Sequence, residues 1–182
     1  MPSGLSNMRG QRKPVTAREI ALFGLCAGLM LAGKKVMEPL PNIHPVGLMI
    51  VVMTVLFRAR ALYPLYTYIL LEGLLGGFGT WWIPYLYVWV VLWAGVMLLP
   101  RNLPPRLAPL IYGLICGLHG LAFGALYAPA QALLYGLNFK TMLMWIASGF
   151  PYDCIHGVAN FVLAAVLSVP LIRVGRRAMD GI

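Results

Sequence analysis

Residues 43–78 read IHPVGLMIVVMTVLF, then RAR, then ALYPLYTYILLEGLLGGF. Two apolar runs of fifteen and eighteen residues flank Arg58-Ala59-Arg60, which leaves space only for a tight turn. A membrane helix needs roughly 20 mostly apolar residues to cross a hydrocarbon core about 30 Å thick. The two runs therefore read as consecutive spans joined at the arginines. The first is short for a perpendicular crossing, so local irregularity is expected in it.

With Pro, Gly and charge as breaks, the rest of the chain divides into further apolar segments at 17–37, 83–99, 107–127 and 145–172. The sequence predicts an all-α integral membrane protein, a six-transmembrane-helix bundle over 17–173, with tails at 1–16 and 174–182. Composition agrees: of 182 residues, 60% are hydrophobic and 10% charged, whereas a soluble domain carries about 25% charged residues. An ordinary cytosolic globule is excluded, and six spans leave no length for a soluble catalytic domain. The basic N-terminus leads into an apolar run with no small-residue cleavage site after a short core, so it reads as a retained first span.

A net charge of +9 would suggest nucleic acid if the basic residues shared a soluble face, but here they punctuate apolar segments. In a six-span topology Arg9, Arg12, Lys13, Arg18, Arg58, Arg60, Arg101, Arg106, Arg173, Arg176 and Arg177 share one side, against Lys34, Lys35 and Lys140 on the other. Cytoplasmic loops carry the excess of Lys and Arg, which puts both termini in the cytoplasm. The external segments are then 34–42, 79–82 and 128–144. Cys26, Cys116 and Cys154 lie in apolar segments without metal-ligand spacing and read as packing residues.

Four clusters carry polar chemistry. In Lys34-Lys35-Val-Met-Glu38-Pro-Leu-Pro41-Asn42-Ile-His44, two prolines hold an extended loop. Lys34 and Lys35 read most simply as a solvated pair; for Asn42 and His44, helix capping and ligand contact both stand open. Glu72 is followed by Gly73, Gly76, Gly77 and Gly79. A carboxylate near a span end is expensive unless it faces a cavity, a partner or water, so it is a functional candidate.

Six of the fifteen residues from 79 to 93 are Trp or Tyr. An interfacial aromatic belt accounts for only one or two of them. Trp82, Tyr85, Trp89 and Trp93 fall on one helical face, suited either to packing or to stacking on a flat ligand. Last, Asp153, His156 and Asn160 stand at i, i+3 and i+7, with Pro151 read as the start of their helix and Asp153 in its first turn. A cap and two interhelical hydrogen bonds are the plain alternative to a ligand site. His119 reads as a helix contact.

No HExxH, GxSxG, SxxK or P-loop occurs, so neither a zinc-protease site, a nucleophile elbow nor an ATP site is present in the sequence. Neither metal nor cofactor is expected. Any energy source must come from another subunit. On the first segment Ala17 and Ala21, then Gly24 and Gly28, form small-residue ridges that let helices approach closely in lipid.

Taken together, PNIHPV at 41–46, LEGLLGGFGTWWIPYLYVW at 71–89 and SGFPYDCIHGVANF at 148–161 resemble segments of the substrate-binding S component of energy-coupling factor (ECF) vitamin transporters. The likeness extends from Thr16 to Arg177. It implies a multi-pass subunit of a bacterial plasma membrane that captures a vitamin or related micronutrient outside. Such a subunit then docks on a transmembrane coupling protein driven by two cytosolic ATPases. It also implies that the first-helix ridge of Ala17, Ala21, Gly24 and Gly28 is the docking face. The implied pocket holds Glu72, Trp82, Tyr85, Trp89, Asp153, His156 and Asn160, with Asn42 and His44 in a lid loop. The opening Met-Pro-Ser differs from the Met-His of nickel and cobalt S components, which argues against a metal ion as cargo. The many rings suggest a flat heterocycle, and Asp153, His156 and Glu72 suggest hydrogen bonding to a polar one, with a B vitamin, cobalamin or an aromatic amino acid open. The competing reading is an intramembrane enzyme using Asp153 and His156 as acid and base.

Overall fold

The computed structural model describes residues 14–180, so Arg9, Arg12 and Lys13 lie outside the described residues. The chain is built from α1 (Ala17–Val36), α2 (Val46–Phe57), a 3-10 turn (Arg58–Ala61), α3 (Leu62–Gly76), α4 (Tyr85–Leu98), α5 (Ala108–Leu121), α6 (Phe123–Tyr135) and α7 (Phe139–Asp180). Among the described residues there is no strand. Three helical stretches, Val46–Gly76, Ala108–Tyr135 and Phe139–Met179, are long and apolar enough to cross a membrane.

The turn at the arginines forms as its length requires. Arg58 adopts a left-handed φ of 54°, which ends α2 and starts the 3-10 turn. A non-glycine residue held there costs about 1–3 kcal/mol unless its surroundings fix it. Here α4 does so: Arg58 Nη2 donates to the Met97 carbonyl at 2.9 Å, and Trp93 Nε1 donates to the Arg58 carbonyl at 3.2 Å. The α1 start is fixed by a reciprocal cap, Thr16 Oγ1 accepting from Glu19 N–H while Glu19 accepts from Thr16 N–H. Arg60 pairs with Glu19 and ties the turn to α1.

The C-terminal third departs from the sequence reading. Segment 128–144 is largely helix rather than loop, because α6 runs through Pro129 to Tyr135 and α7 already begins at Phe139. The polar residues that suggested a loop act as caps. Gly136 ends α6 with φ 65°, and Asn138 Oδ1 accepts from the Thr141 N–H at 2.9 Å at the start of α7. Pro151 does not start a helix but lies inside α7, so Asp153 is mid-helix and has no N-terminal dipole to favour it. The helix also continues past 173 through Asp180.

Antiparallel packing of α5 on α7 is the most extensive contact among the described helices. A Cβ at Gly120 would lie 2.8 Å from the Gly157 Cα, and one at Gly117 would lie 3.2 Å from the Gly157 carbonyl oxygen. Gly117, Gly120 and Gly157 carry no Cβ, so the backbones meet here with Phe161, His156 and Leu121 packed around them, which is how helices gain dispersion contact where lipid removes the hydrophobic drive. On α2, Gly47 makes a similar approach, its Cβ position 2.8 Å from Cys116 Sγ and 2.9 Å from Asn160 Oδ1.

The bundle has two chemically distinct ends. One gathers the Arg58 turn, the α4–α5 loop and the C-terminal end of α7. The other gathers the end of α1, the loop before α2, the end of α3, the start of α4 and the middle of α7. Between them lies an apolar core that includes Met30, Ile50, Met53, Leu65, Ile69 and Leu92.

Candidate functional site

Lys34 enters the second end from the last turn of α1 and Glu72 from the last turns of α3. Lys34 Nζ lies 2.6 Å from Glu72 Oε2, with the two side chains 22% and 5% exposed. Lys34 is therefore not the solvated residue that the sequence suggested; only Lys35, paired with Glu38 at 3.2 Å on the surface, fits that description. A carboxylate this buried needs a counter-charge, and the lysine stem is long enough to supply one across the helices. Lys34 Nζ also donates to the Tyr85 hydroxyl at 3.4 Å and sits 5.1 Å from its ring centroid. Glu72 Oε1 and the Tyr68 hydroxyl are buried without hydrogen-bond partners.

From Tyr85 a continuous set of rings runs inward. Tyr85 meets Trp89 edge-on at 5.6 Å, and Trp89, fully buried, contacts His44 at 6.0 Å, His119 at 5.7 Å and Phe123 at 5.3 Å. His156 stands edge-on to His44 at 4.9 Å and stacks on Phe123 at 5.0 Å. Asn160, one turn further along α7, is buried against Gly47 of α2. Thus Lys34, His44, Glu72, Tyr85, Trp89, His156 and Asn160 arrive from α1, the loop before α2, α3, α4 and α7, and form one polar aromatic chain.

Hydrogen bonding within this chain is incomplete. His44 Nδ1, Trp89 Nε1, His156 Nε2 and Asn160 Nδ2 are all buried without a partner. Each such group costs about 1–3 kcal/mol when water is excluded. His119 differs, for its Nε2 donates to the Val88 carbonyl at 3.0 Å and ties α5 to α4. That is the helix contact expected of it, although its Nδ1 is buried and unpaired.

The remaining expected residues have other work. Asn42 takes a left-handed φ of 60° in the loop before α2, a conformation that Asn tolerates better than most residues. Trp82 donates Nε1 to the Ile69 carbonyl at 2.7 Å and meets Phe78 edge-on at 5.0 Å, which anchors the α3–α4 loop. Asp153 Oδ2 accepts from the Gly124 N–H at 3.1 Å, so it caps the first turn of α6 rather than its own helix. The aromatic stripe divides: Trp93 binds the Arg58 turn at the opposite end, Trp89 reaches His44 and His119, and Tyr85 joins them only through Trp89.

Two contributors escaped the sequence reading, Phe123 and Tyr127. With His119 they fall at i, i+4 and i+8 across the α5–α6 junction, a helical stripe that was visible in the sequence. Phe123 stacks on Tyr127 at 5.9 Å, and Tyr127 on Trp145 at 6.1 Å, extending the rings to the first turns of α7. Among the described residues no group of three His, Cys, Asp or Glu is arranged to hold a metal ion. The three cysteines are free thiols.

On α1 the predicted docking residues lie away from this site. Ala17, Ala21 and Gly24 are exposed, and a Cβ at Gly24 or Gly28 would meet no atom within 4 Å. A groove of about 480 Å³ beside this face is lined by Ala21, Leu25, Leu29 and residues of α2 and α7. Comparison of the chain with models of known families, with curated proteins and with solved structures gives no match.

Proposed function

We propose that the protein is a substrate-binding membrane subunit of the energy-coupling factor type. It captures a small planar polar nutrient of the vitamin class on the outer face and hands it to ATP-driven partner subunits. The observation that carries this reading is the convergence of four unpartnered buried polar atoms, on His44, Trp89, His156 and Asn160, amid stacked rings. A bundle that needed only stability would fill such positions with apolar side chains.

The polarity of these atoms states what the cargo must offer. Trp89 N–H and Asn160 NH₂ are donors only, so they ask for acceptors, while Glu72 Oε1 beside Lys34 asks for a donor. His44 and His156 can serve either way. A heteroaromatic ring carrying both carbonyl or ring-nitrogen acceptors and N–H or O–H donors meets all of these at once. Its faces would stack on Trp89 and Phe123.

Transport then needs partners, because the chain has no nucleotide-binding motif. The open face of Ala17, Ala21, Gly24 and Gly28 with its apolar groove is the surface on which a transmembrane coupling protein docks, itself driven by two cytosolic ATPases. In this reading both termini are cytoplasmic and the ring cluster faces outward. Acid–base catalysis by Asp153 and His156 is the weaker alternative, since Asp153 Oδ2 is engaged by Gly124 and the Asp153–His156 pair has no hydrogen bond.

The test is native mass spectrometry of the purified chain, followed by tryptophan-fluorescence titration with a panel of B vitamins and their precursors. A co-purifying heterocycle that quenches wild-type fluorescence, and binds His156→Ala and Trp89→Phe at least about tenfold more weakly, is the expected result. Lipid alone in the spectrum, with no binder in the panel, would overturn the proposal.

A further inference from the structure

The opposite end of the bundle carries a second, separate collection of polar groups. Two adjoining cavities of about 210 and 220 Å³ open there and share Arg101, Asn102, Tyr112 and Arg176. Arg58 lines the first and Arg173 the second. Three arginines thus line each of the two adjoining spaces, four in all, from the α2–α3 turn, the α4–α5 loop and the end of α7.

Nothing described neutralises them. Of the carboxylates whose side chains are described, Glu19 pairs with Arg60, Glu38 with Lys35 and Glu72 with Lys34, while Asp153 accepts from Gly124 N–H. Arg58 uses Nη2 on the Met97 carbonyl, but its Nε is buried and unpartnered. The C-terminal ends of α2, α4 and α7 lie nearby, each with about half a negative charge, which offsets less than half of four full positive charges. Drug-sized ligands occupy pockets of about 300–1,000 Å³, so spaces near 210 Å³ suit a single anionic group rather than a whole nucleotide. Arginine forks match the oxygens of a phosphate, and Tyr112 and Asn102 add neutral hydrogen-bonding groups. Val55, Val96 and Leu99 at one rim, with Val169 and Ile172 at the other, border the charged space with apolar surface.

We propose that Arg58, Arg101, Arg173 and Arg176 form a binding site for a phosphate group, either the phosphodiester of an anionic lipid headgroup or a soluble phosphate. The site is independent of the cargo site at the other end. Arg101 and Arg176, common to both cavities and exposed, are the residues to remove. Arg106 and Arg177 lie close in sequence, line neither cavity, and provide a control with the same change in charge.

The full chain, purified in detergent, is titrated with phosphatidylglycerol and with diacylglycerol as the phosphate-free counterpart, and bound lipid is counted by native mass spectrometry. In parallel, thermal unfolding is followed with inorganic phosphate against chloride at equal ionic strength. The Arg101→Gln/Arg176→Gln variant is expected to lose phosphatidylglycerol retention about tenfold or more, whereas Arg106→Gln/Arg177→Gln retains it; this assigns a lipid headgroup. Stabilisation by inorganic phosphate that is lost only in Arg101→Gln/Arg176→Gln assigns a soluble phosphate. Equal loss in the two double variants, equal retention of diacylglycerol, or no response to either phosphate probe would overturn the proposal.

Discussion

The Lys34–Glu72 pair offers the sharpest quantitative test of the site. At 2.6 Å and an effective dielectric of about 20, two unit charges attract by about 6 kcal/mol, much of it spent on removing both ions from water. Removing one partner exposes the asymmetry. Lys34→Met leaves a carboxylate that is 4% exposed with no counter-charge and is expected to cost about 3–5 kcal/mol. Glu72→Met leaves an ammonium that is partly wet and still has the Tyr85 hydroxyl and ring, so its cost is expected to be only about 1–2 kcal/mol. The double variant, with neither charge, is expected within about 1 kcal/mol of the parent. In thermal unfolding in detergent, Lys34→Met falls by on the order of 10 °C, at about 2–4 °C per kcal/mol for a chain of this size. The double variant recovers most of that loss. If the two single losses simply add in the double variant, the groups are uncoupled and the ion-pair reasoning fails.

Other expectations follow from the same contacts. Gly120→Ala drives a methyl to 2.8 Å from the Gly157 backbone and is expected to cost about 1–3 kcal/mol or more, read as a lower unfolding midpoint; a midpoint equal to wild type contradicts the close α5–α7 crossing. Gly24→Ala and Gly28→Ala meet open space, so they leave the midpoint of the isolated protein unchanged, while co-purification with the coupling subunits drops if α1 is the docking face. Asp153→Ala removes the acceptor for Gly124 N–H and lowers stability by about 0.5–2 kcal/mol, whereas Asp153→Asn retains most of it. Asn160→Leu replaces an unpartnered buried amide; it is expected to raise the unfolding midpoint while weakening cargo affinity, and a lower midpoint would show that the amide is structural.

Periodic apolarity and charge made the helical class legible, and the three residues of Arg58-Ala59-Arg60 defined a turn that the structure forms. The cluster of His44, Trp89, His156 and Asn160 was legible too, because each residue is anomalous where lipid or core surrounds it. What failed was local grammar near 128–144. Pro129, Gly136 and Asn138 resemble a loop in composition, yet Gly136 and Asn138 together supply one helix end and one helix start. Pro151 misled similarly, since a proline favours a first turn in water but persists mid-helix where neighbouring elements compensate. The Lys34–Glu72 pair spans 38 positions, and no local pattern reports a partner that distant. Asp153 capping α6 from α7 is hidden for the same reason.

The length of α7 has a mechanical meaning. At about 1.5 Å per residue its 42 residues form a beam about 63 Å long, roughly twice the thickness of a hydrocarbon core. His156 and Arg176 lie on it about 30 Å apart, so a tilt of about 10° pivoting near His156 would sweep the arginine end through about 5 Å. Pro170 lies between these two points and removes one backbone hydrogen bond, so the sweep is carried in full only while the helix stays straight there. His156 and Asn160 of the ring cluster and Arg173 and Arg176 of the far end thus stand on a single helix.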